Sequence, residues 1–478
     1  MYFNSMPYIF GFLPIVIIVY FLLNKHKLII GGKIWLIIAS VTFYAFFNPK
    51  YAPLLVLYIL LNYGFYKLVQ QEDEKKSKAS LAVAIGVNLL IFLGFRYANF
   101  FIDKVSLTFC TNGLFFGKVI MPIAIGTQTL QQICFLVDSQ KDKKIKYSFI
   151  DYVLFSIFFP QMIVGPIVKH SETIPQFNNL RKKLFNNKNF ILGLSMFLIG
   201  FYKKGYLVAP LNETILANIQ HSATMSSPEV FLFMILEYFH MYLDISSYMD
   251  MVLGSAMMLN IELPINFNSP MQAENIIEFW KRWQITFARF MRDYVFEPLK
   301  TLCNNDCKLA GATITTCLLG GIWQGASLCA VVWSIMHALG FLIHSVWKRL
   351  NIKMPHFVAT AITIIFVAFS GILLRVKTIG EAGNLYYNLL GLSNFSNFEY
   401  KDFALVFSSQ NDCRTWLLTP IIICVIGLIL SAFKVSIEGK DLAKLVKPNL
   451  FWAFVLSIAV IEIIYFYAPP TGFIYYNF

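Results

Sequence analysis

The chain alternates between apolar runs and short lysine-rich polar segments. About 20 apolar residues cross the hydrocarbon of a bilayer. By that measure residues 7–23, 34–47, 52–68, 81–95 and 117–137 predict the first five spanning helices, and 190–206, 230–259, 327–346, 357–374, 417–433 and 451–467 read the same way. Lys25, Lys27 and Lys33 follow the first run, Lys67, Lys75, Lys76 and Lys78 the third, and a basic stretch at 141–146 the fifth. The positive-inside rule puts these loops in the cytoplasm and the N-terminus outside. The first run has no basic leader and no small-residue cleavage site, so it reads as a spanning helix and not as a signal peptide. Residues 377–413 are expected to form an external polar segment.

Two stretches break the alternation. Residues 152–168 have basic clusters on both sides, 141–146 before and Lys169, Arg181, Lys182, Lys183 and Lys188 after, so both ends should face the cytoplasm. Pro160, Gly165 and Pro166 interrupt the run, and irregular backbone survives at membrane depth only when it is packed in protein or lines a cavity. A re-entrant hairpin is expected. The second is 275–300, too charged to cross, in which Lys281, Arg282, Arg289, Arg292 and Asp293 interleave with Trp280, Trp283, Phe287 and Phe290. That pattern suits an amphipathic helix at the lipid boundary, cations toward headgroups and rings toward acyl chains.

Composition sharpens the class. A chain of 478 residues with 57% hydrophobic and 14% charged residues and a mean hydropathy of +0.62 is an all-α polytopic membrane protein. The net charge of +13 lies in clusters between apolar runs, which excludes nucleic acid as a partner and leaves membrane lipid. The eight cysteines are scattered. Only Cys303 and Cys307 lie close together, at a spacing wrong for a zinc knuckle, so no metal is expected.

Ionisable residues inside apolar runs are costly and mark candidate sites. In 230–259 these are Asp244 and Asp250, with Tyr248 one helical turn after Asp244 and His240 one turn before it. A polar contact holding helices together explains them equally well.

Several motifs then point one way: MP-x-x-IG at 121–126, Asp151-Tyr152, FFPQMIVGPIV at 158–168, YLDISSYMDM at 242–251, LPINFNSP at 263–270, and the spaced EFW-x-RW, RDY, GG-x-W-x-GA and W-x-x-x-H of 278–337. In this order and over the whole length the chain resembles a membrane-bound O-acyltransferase. The likeness is strongest to the bacterial branch of alginate and peptidoglycan O-acetyltransferases and the D-alanyl transfer protein of teichoic acids. The resemblance implies one domain over 1–478, with N-terminal helices in 1–150, a core in 151–346 and C-terminal helices with the FIYYNF tail in 347–478. It also implies a ring of about 11 to 13 helices, with re-entrant and amphipathic segments, around a funnel and central tunnel. The activity implied is transfer of a short acyl group, acetyl by the branch's habit, from a cytoplasmic thioester to an extracytoplasmic polysaccharide or partner transferase. The donor would be acetyl-CoA or the phosphopantetheine of an acyl carrier protein, and the setting a bacterial inner membrane. Lys281, Arg282, Arg289 and Arg292 would suit the donor's phosphates.

The chain departs from the family where chemistry matters most. The family's RWH and WHG read here Arg282-Trp283-Gln284 and Trp323-Gln324-Gly325. An imidazole takes the acceptor's proton near neutral pH, whereas an amide only donates or accepts hydrogen bonds. Losing a general base costs about 10² to 10⁴ in rate. His337 is the nearest histidine in sequence, and both a satisfied core histidine and a catalytic one fit its place. In the terminal FIYYNF, the resemblance assigns Tyr475 the role of acyl carrier; an interfacial aromatic belt is the plainer reading. An inactive binding or scaffold protein of the same fold therefore stands beside the acyltransferase. A transporter has little beyond helix number to support it, since no inverted repeat is visible.

Overall fold

The computed structural model describes residues 1–47, 49–109, 121–143, 146–212, 215, 225–376, 378–391, 438–447 and 449–465. They are helical with no β-strand among them, and seven helical stretches are long and apolar enough to cross a membrane. These are Pro7–Lys25, Pro49–Val69, Glu74–Ala98, Asn187–Asn212, Ser227–Met258, Leu328–Arg349 and His356–Arg375. The shorter apolar helices Ile29–Ala45 and Leu450–Ile463 add to them. The expected helix 417–433 lies outside the described residues, and of 377–413 the structure describes chiefly the helix Ile379–Leu390.

The chain divides into two compact units. The first comprises Met1–Phe197, Met251–Pro264 and Val446–Ile461, and the second Leu198–Asp250, Ile265–Leu445 and Glu462–Phe478.

In the first unit the interrupted stretch around residue 158 is the organising feature. The helix Phe149–Ile157 stops at Phe158, a four-residue helix Phe159–Met162 follows, and residues 165–169 are not helical. Such a break strands carbonyls at the helix end. Glutamines meet them: Gln128 donates to the Ser156 carbonyl at 2.8 Å, and Gln131 and Gln161 to the Phe155 carbonyl at 2.9 and 2.8 Å. Gln132 adds a bond to the Ser156 hydroxyl at 3.0 Å, and Tyr152 returns one to Gln132 Oε1 at 2.8 Å. All four glutamines are fully buried. Three of them belong to Ile125–Lys141, which corrects the expected fifth spanning helix. The helix starts at Ile125, after Ala124 at φ 74°, and serves as a polar partner for the interrupted segment.

At the other end of this unit Lys33 donates to Asp151 Oδ1 at 2.6 Å and to Asn178 Oδ1 at 2.5 Å. Burial would raise the Asp151 carboxyl, but Lys33, Ser148 and Asn178 hold it below the ordinary carboxylate range. Glycines permit one close crossing. A Cβ at Gly193 would lie 2.6 Å from the Gly254 carbonyl, so the helices carrying them touch backbone to backbone, as small residues allow.

In the second unit Asp306–Gln324 packs along Leu328–Arg349, and a Cβ at Gly321 would collide with Ser334. The segment expected as one amphipathic helix over 275–300 is instead four pieces: Ile276–Arg282, Ile285–Phe290, a π-helical turn Met291–Phe296 and Glu297–Lys300. Its rings do not point to lipid as expected. Trp283, Phe287 and Phe290 are 6, 7 and 6% exposed, with Trp283 packed on Tyr238, Tyr242 and Phe267, Phe287 on Trp323, and Phe290 on Tyr294.

Candidate functional site

Two of the motif segments lie side by side in the second unit and hold each other in register. The Asn268 N–H donates to the Arg282 carbonyl at 2.9 Å and the Ile285 N–H to the Asn266 carbonyl at 2.9 Å. The Asn266 side chain, 5% exposed, reinforces the second contact, since its Oδ1 accepts the Thr286 N–H at 3.1 Å and the Thr286 hydroxyl at 2.6 Å. Arg282 Nη1 closes the first by donating to the Asn268 carbonyl at 3.1 Å. Between these anchors Gln284 sits at φ 42°. A non-glycine residue in that region costs on the order of 1–3 kcal/mol, and the Asn266 bonds on the next two residues offset it. The break at Gln284 is thus imposed by a partner segment and not by local propensity.

Gln324 is the last residue of Asp306–Gln324 and is half-buried. Its neighbour Trp323 stacks on Phe287 with centroids 6.4 Å apart, so the segments carrying Gln284 and Gln324 are adjacent. Both glutamines make interactions within the protein. A primary amide can donate to a carbonyl oxygen or oxyanion but takes up no proton near neutral pH.

His337 has both ring nitrogens engaged. Trp280 Nε1–H, which can only donate, points at Nδ1 at 3.2 Å, so Nδ1 is the acceptor and the proton is on Nε2. Nε2 then donates to the Ser370 hydroxyl oxygen at 3.0 Å, and that hydroxyl donates to the Val367 carbonyl at 3.0 Å. Trp333 covers the ring at 4.4 Å and the residue is 2% exposed. This chain of bonds fixes Trp280, and with it the helix Ile276–Arg282.

The acidic residues of Ser227–Met258 have cations opposite them. Lys204 Nζ donates to Asp244 Oδ1 at 2.6 Å and Lys203 Nζ to Asp250 Oδ2 at 2.8 Å, with all four side chains at most 7% exposed. Asp250 also accepts the Gly439 N–H. Glu438, beside it, accepts the Tyr242 hydroxyl at 2.8 Å and the Ser269 N–H at 2.7 Å, which ties the NFNSP segment to the same polar cluster. Tyr248 is buried on the same helix. His240 lies 3.6 Å from Glu237. Sequence reasoning missed Lys203, Lys204, Glu438 and Asn266. Consecutive lysines within an apolar run, next to a run holding two aspartates, were the available signal for the first pair.

Of the four basic residues expected to meet a donor, Arg282 is engaged by Glu278 through Nε at 3.0 Å and Nη2 at 2.8 Å, and Arg292 by Asp293 at 2.8 Å. Burial alone would raise the Glu278 carboxyl, but the Glu274 N–H and the Arg282 guanidinium hold it below its ordinary range. Lys281 is exposed and Arg289 half-buried. Tyr475 lies outside the described residues. Cys303 and Cys307 are free thiols, and no group of three metal-ligating side chains occurs among the described residues.

Known proteins resemble this chain over most of its length. It is 32% identical over 425 residues to a peptidoglycan O-acetyltransferase of Helicobacter pylori, covering 82% of this chain and 80% of that protein. It is 27% identical over 397 residues to a probable alginate O-acetylase of Pseudomonas syringae, covering 81% and 74%. A teichoic acid D-alanyltransferase of Streptococcus thermophilus is 22% identical over 245 residues, covering 48% and 57%. Residues 54–374 match the family model described as MBOAT, and with two thirds of its length inside that match the chain belongs to the membrane-bound O-acyltransferase family.

Proposed function

We propose that this protein moves a short acyl group, acetyl in the first instance, from a cytoplasmic thioester to a hydroxyl of a cell-envelope polysaccharide or of a partner transferase outside a bacterial inner membrane. The observation that carries this reading is the likeness to peptidoglycan and alginate O-acetylating proteins across four fifths of the chain. The donor is acetyl-CoA or an acyl carrier protein's phosphopantetheine, whose phosphates are met by Lys281, Arg282, Arg289 and Arg292. Gln284 and Gln324 serve as hydrogen-bond donors to the thioester carbonyl and to the oxyanion formed from it. His337 positions Trp280, and Tyr475 carries the acyl group outward.

Mass spectrometry of the full-length protein after incubation with acetyl-CoA tests donor and carrier together. An acetyl group on the C-terminal peptide, absent in Tyr475→Phe, supports the reading; external acetylation by that variant at the normal rate removes Tyr475 from it.

The glutamines favour a second reading, a binding or scaffold protein that keeps the fold without the chemistry. Acyl transfer by the unaltered chain would exclude it.

A further inference from the structure

Glu462 is the only charged residue of the helix Leu450–Tyr465, and an ionisable group within an apolar run marks a functional site by default. The two aspartates of Ser227–Met258 have lysines opposite them. Glu462 has no cation within ion-pair distance among the described residues. Its Oε1 accepts the Tyr206 hydroxyl at 2.8 Å and its Oε2 the Tyr202 hydroxyl at 3.0 Å. Phenols are neutral donors, so they orient the carboxylate without cancelling its charge, and they fill two of its about four acceptor directions.

This carboxylate is at the surface. Lys203 and Lys204, between the two tyrosines, are buried with Asp250 and Asp244, whereas Tyr206 is 52% exposed and Ile458 and Ile461, on the helix of Glu462, are exposed as well. A Cβ at Gly205 would meet nothing within 4 Å, so the space beside Tyr206 is open. Tyr202 and Tyr206 are one turn apart and stack with centroids 5.6 Å apart. The apolar runs 190–206 and 451–467 each begin beside lysines, Lys188 and Lys447, and end just past these residues. By the positive-inside rule the site therefore lies toward the outer surface.

A group that neutralises Glu462 there has to be cationic and to arrive from the surrounding lipid. A divalent metal ion fits poorly, because it needs several oxygen ligands, and no group of three metal-ligating side chains occurs among the described residues. An ammonium fits, since its N–H groups can donate to the carboxylate oxygens beside two aromatic rings. We infer that Glu462, Tyr202 and Tyr206 form a lipid-facing site for the ammonium headgroup of an aminophospholipid of the outer leaflet, phosphatidylethanolamine being the simplest. The site is separate from the acyl-transfer reading and involves no covalent step.

Native mass spectrometry of the full-length protein in detergent, with single lipids titrated in, tests the site. Phosphatidylethanolamine should bind at least about tenfold more tightly than N-acetyl-phosphatidylethanolamine, which lacks the ammonium, and than phosphatidylglycerol. Glu462→Gln should abolish that preference, Tyr206→Phe should weaken it, and Glu462→Lys should reverse it in favour of phosphatidylglycerol. Thermal unfolding of each purified variant checks that the fold is kept. Equal binding of the three lipids by the unaltered chain would overturn the inference, and that measurement needs no variant. So would an unchanged preference in folded Glu462→Gln. A dimer that Glu462→Gln dissolves, with no preference among the lipids, would give the carboxylate to a second copy of the chain and overturn the inference too. Acyl transfer is not a readout here, so each of these failures leaves the transferase reading untouched.

Discussion

Lys204 Nζ lies 2.6 Å from Asp244 Oδ1, with the two side chains 5 and 2% exposed. Neither charge could remain at that depth alone, so each is the condition of the other's presence. Removing one partner of a buried pair leaves an uncompensated charge and costs about 3–5 kcal/mol, whereas replacing both by apolar residues is often neutral. Lys204→Met and Asp244→Leu should each lower the detergent unfolding midpoint sharply, and the double variant should recover most of the loss. Additive losses in the double variant would show that the two do not act as a pair.

The Asn266–Thr286 contact predicts a graded series. Asn266→Ala removes the two bonds that Asn266 Oδ1 accepts from the Thr286 N–H and hydroxyl, costing about 1–3 kcal/mol, and frees Gln284 from φ 42°. Asn266→Asp keeps an acceptor for both bonds and gives up the weak contact from Nδ2 to Met249 Sδ at 3.4 Å. Unfolding midpoints should therefore rank wild type, Asp, then Ala, with transfer activity in the same order. An Ala variant with wild-type stability and rate would assign the clamp no role.

Gln324→His restores the residue that the family has at this position. An imidazole there can take up the acceptor's proton, so initial rates with acetyl-CoA should rise by about 10² to 10⁴, the contribution of a general base. Gln284→His is the companion measurement, and unchanged rates in both variants would show that neither position limits the reaction.

Asp151 predicts an acid limb of stability. Burial raises its carboxyl, but Lys33, Ser148 and Asn178 outweigh that and hold it below its ordinary range. A carboxyl lowered in the folded state contributes stability that is fully present above its unfolded value of about 3.9 and is lost as pH falls through the folded one. Lys33→Met should flatten that limb. Unfolding midpoints measured from neutral to strongly acid pH check it, and an unaltered acid limb in Lys33→Met would count against the pairing.

Seven of the apolar helices, the interruption at 158–166 and the family itself were legible along the chain. Apolar length, loop charge, helix-breaking residues and ordered motifs are local properties that a bilayer reads one segment at a time. The same locality explains the errors. The expectation of a spanning helix over 117–137 rests on apolar residues visible in sequence, while the carbonyls that the glutamines of Ile125–Lys141 satisfy belong to another segment. The stretch 275–300 has the periodicity of one amphipathic helix, yet Asn266 and Asn268 break it at Gln284 from 16 to 18 residues away.

What the sequence determined alone is that this chain lives in a membrane, roughly where its apolar helices lie, and which charges are buried among them. Only the tertiary structure decided their partners: Lys203 and Lys204 for the two aspartates, Trp280 and Ser370 for His337, Asn266 for the turn at Gln284. The physical reason is that hydropathy sums over neighbours in sequence, whereas a hydrogen bond or ion pair depends on two atoms meeting within about 3 Å, and nothing along the chain reports which distant residue will arrive there.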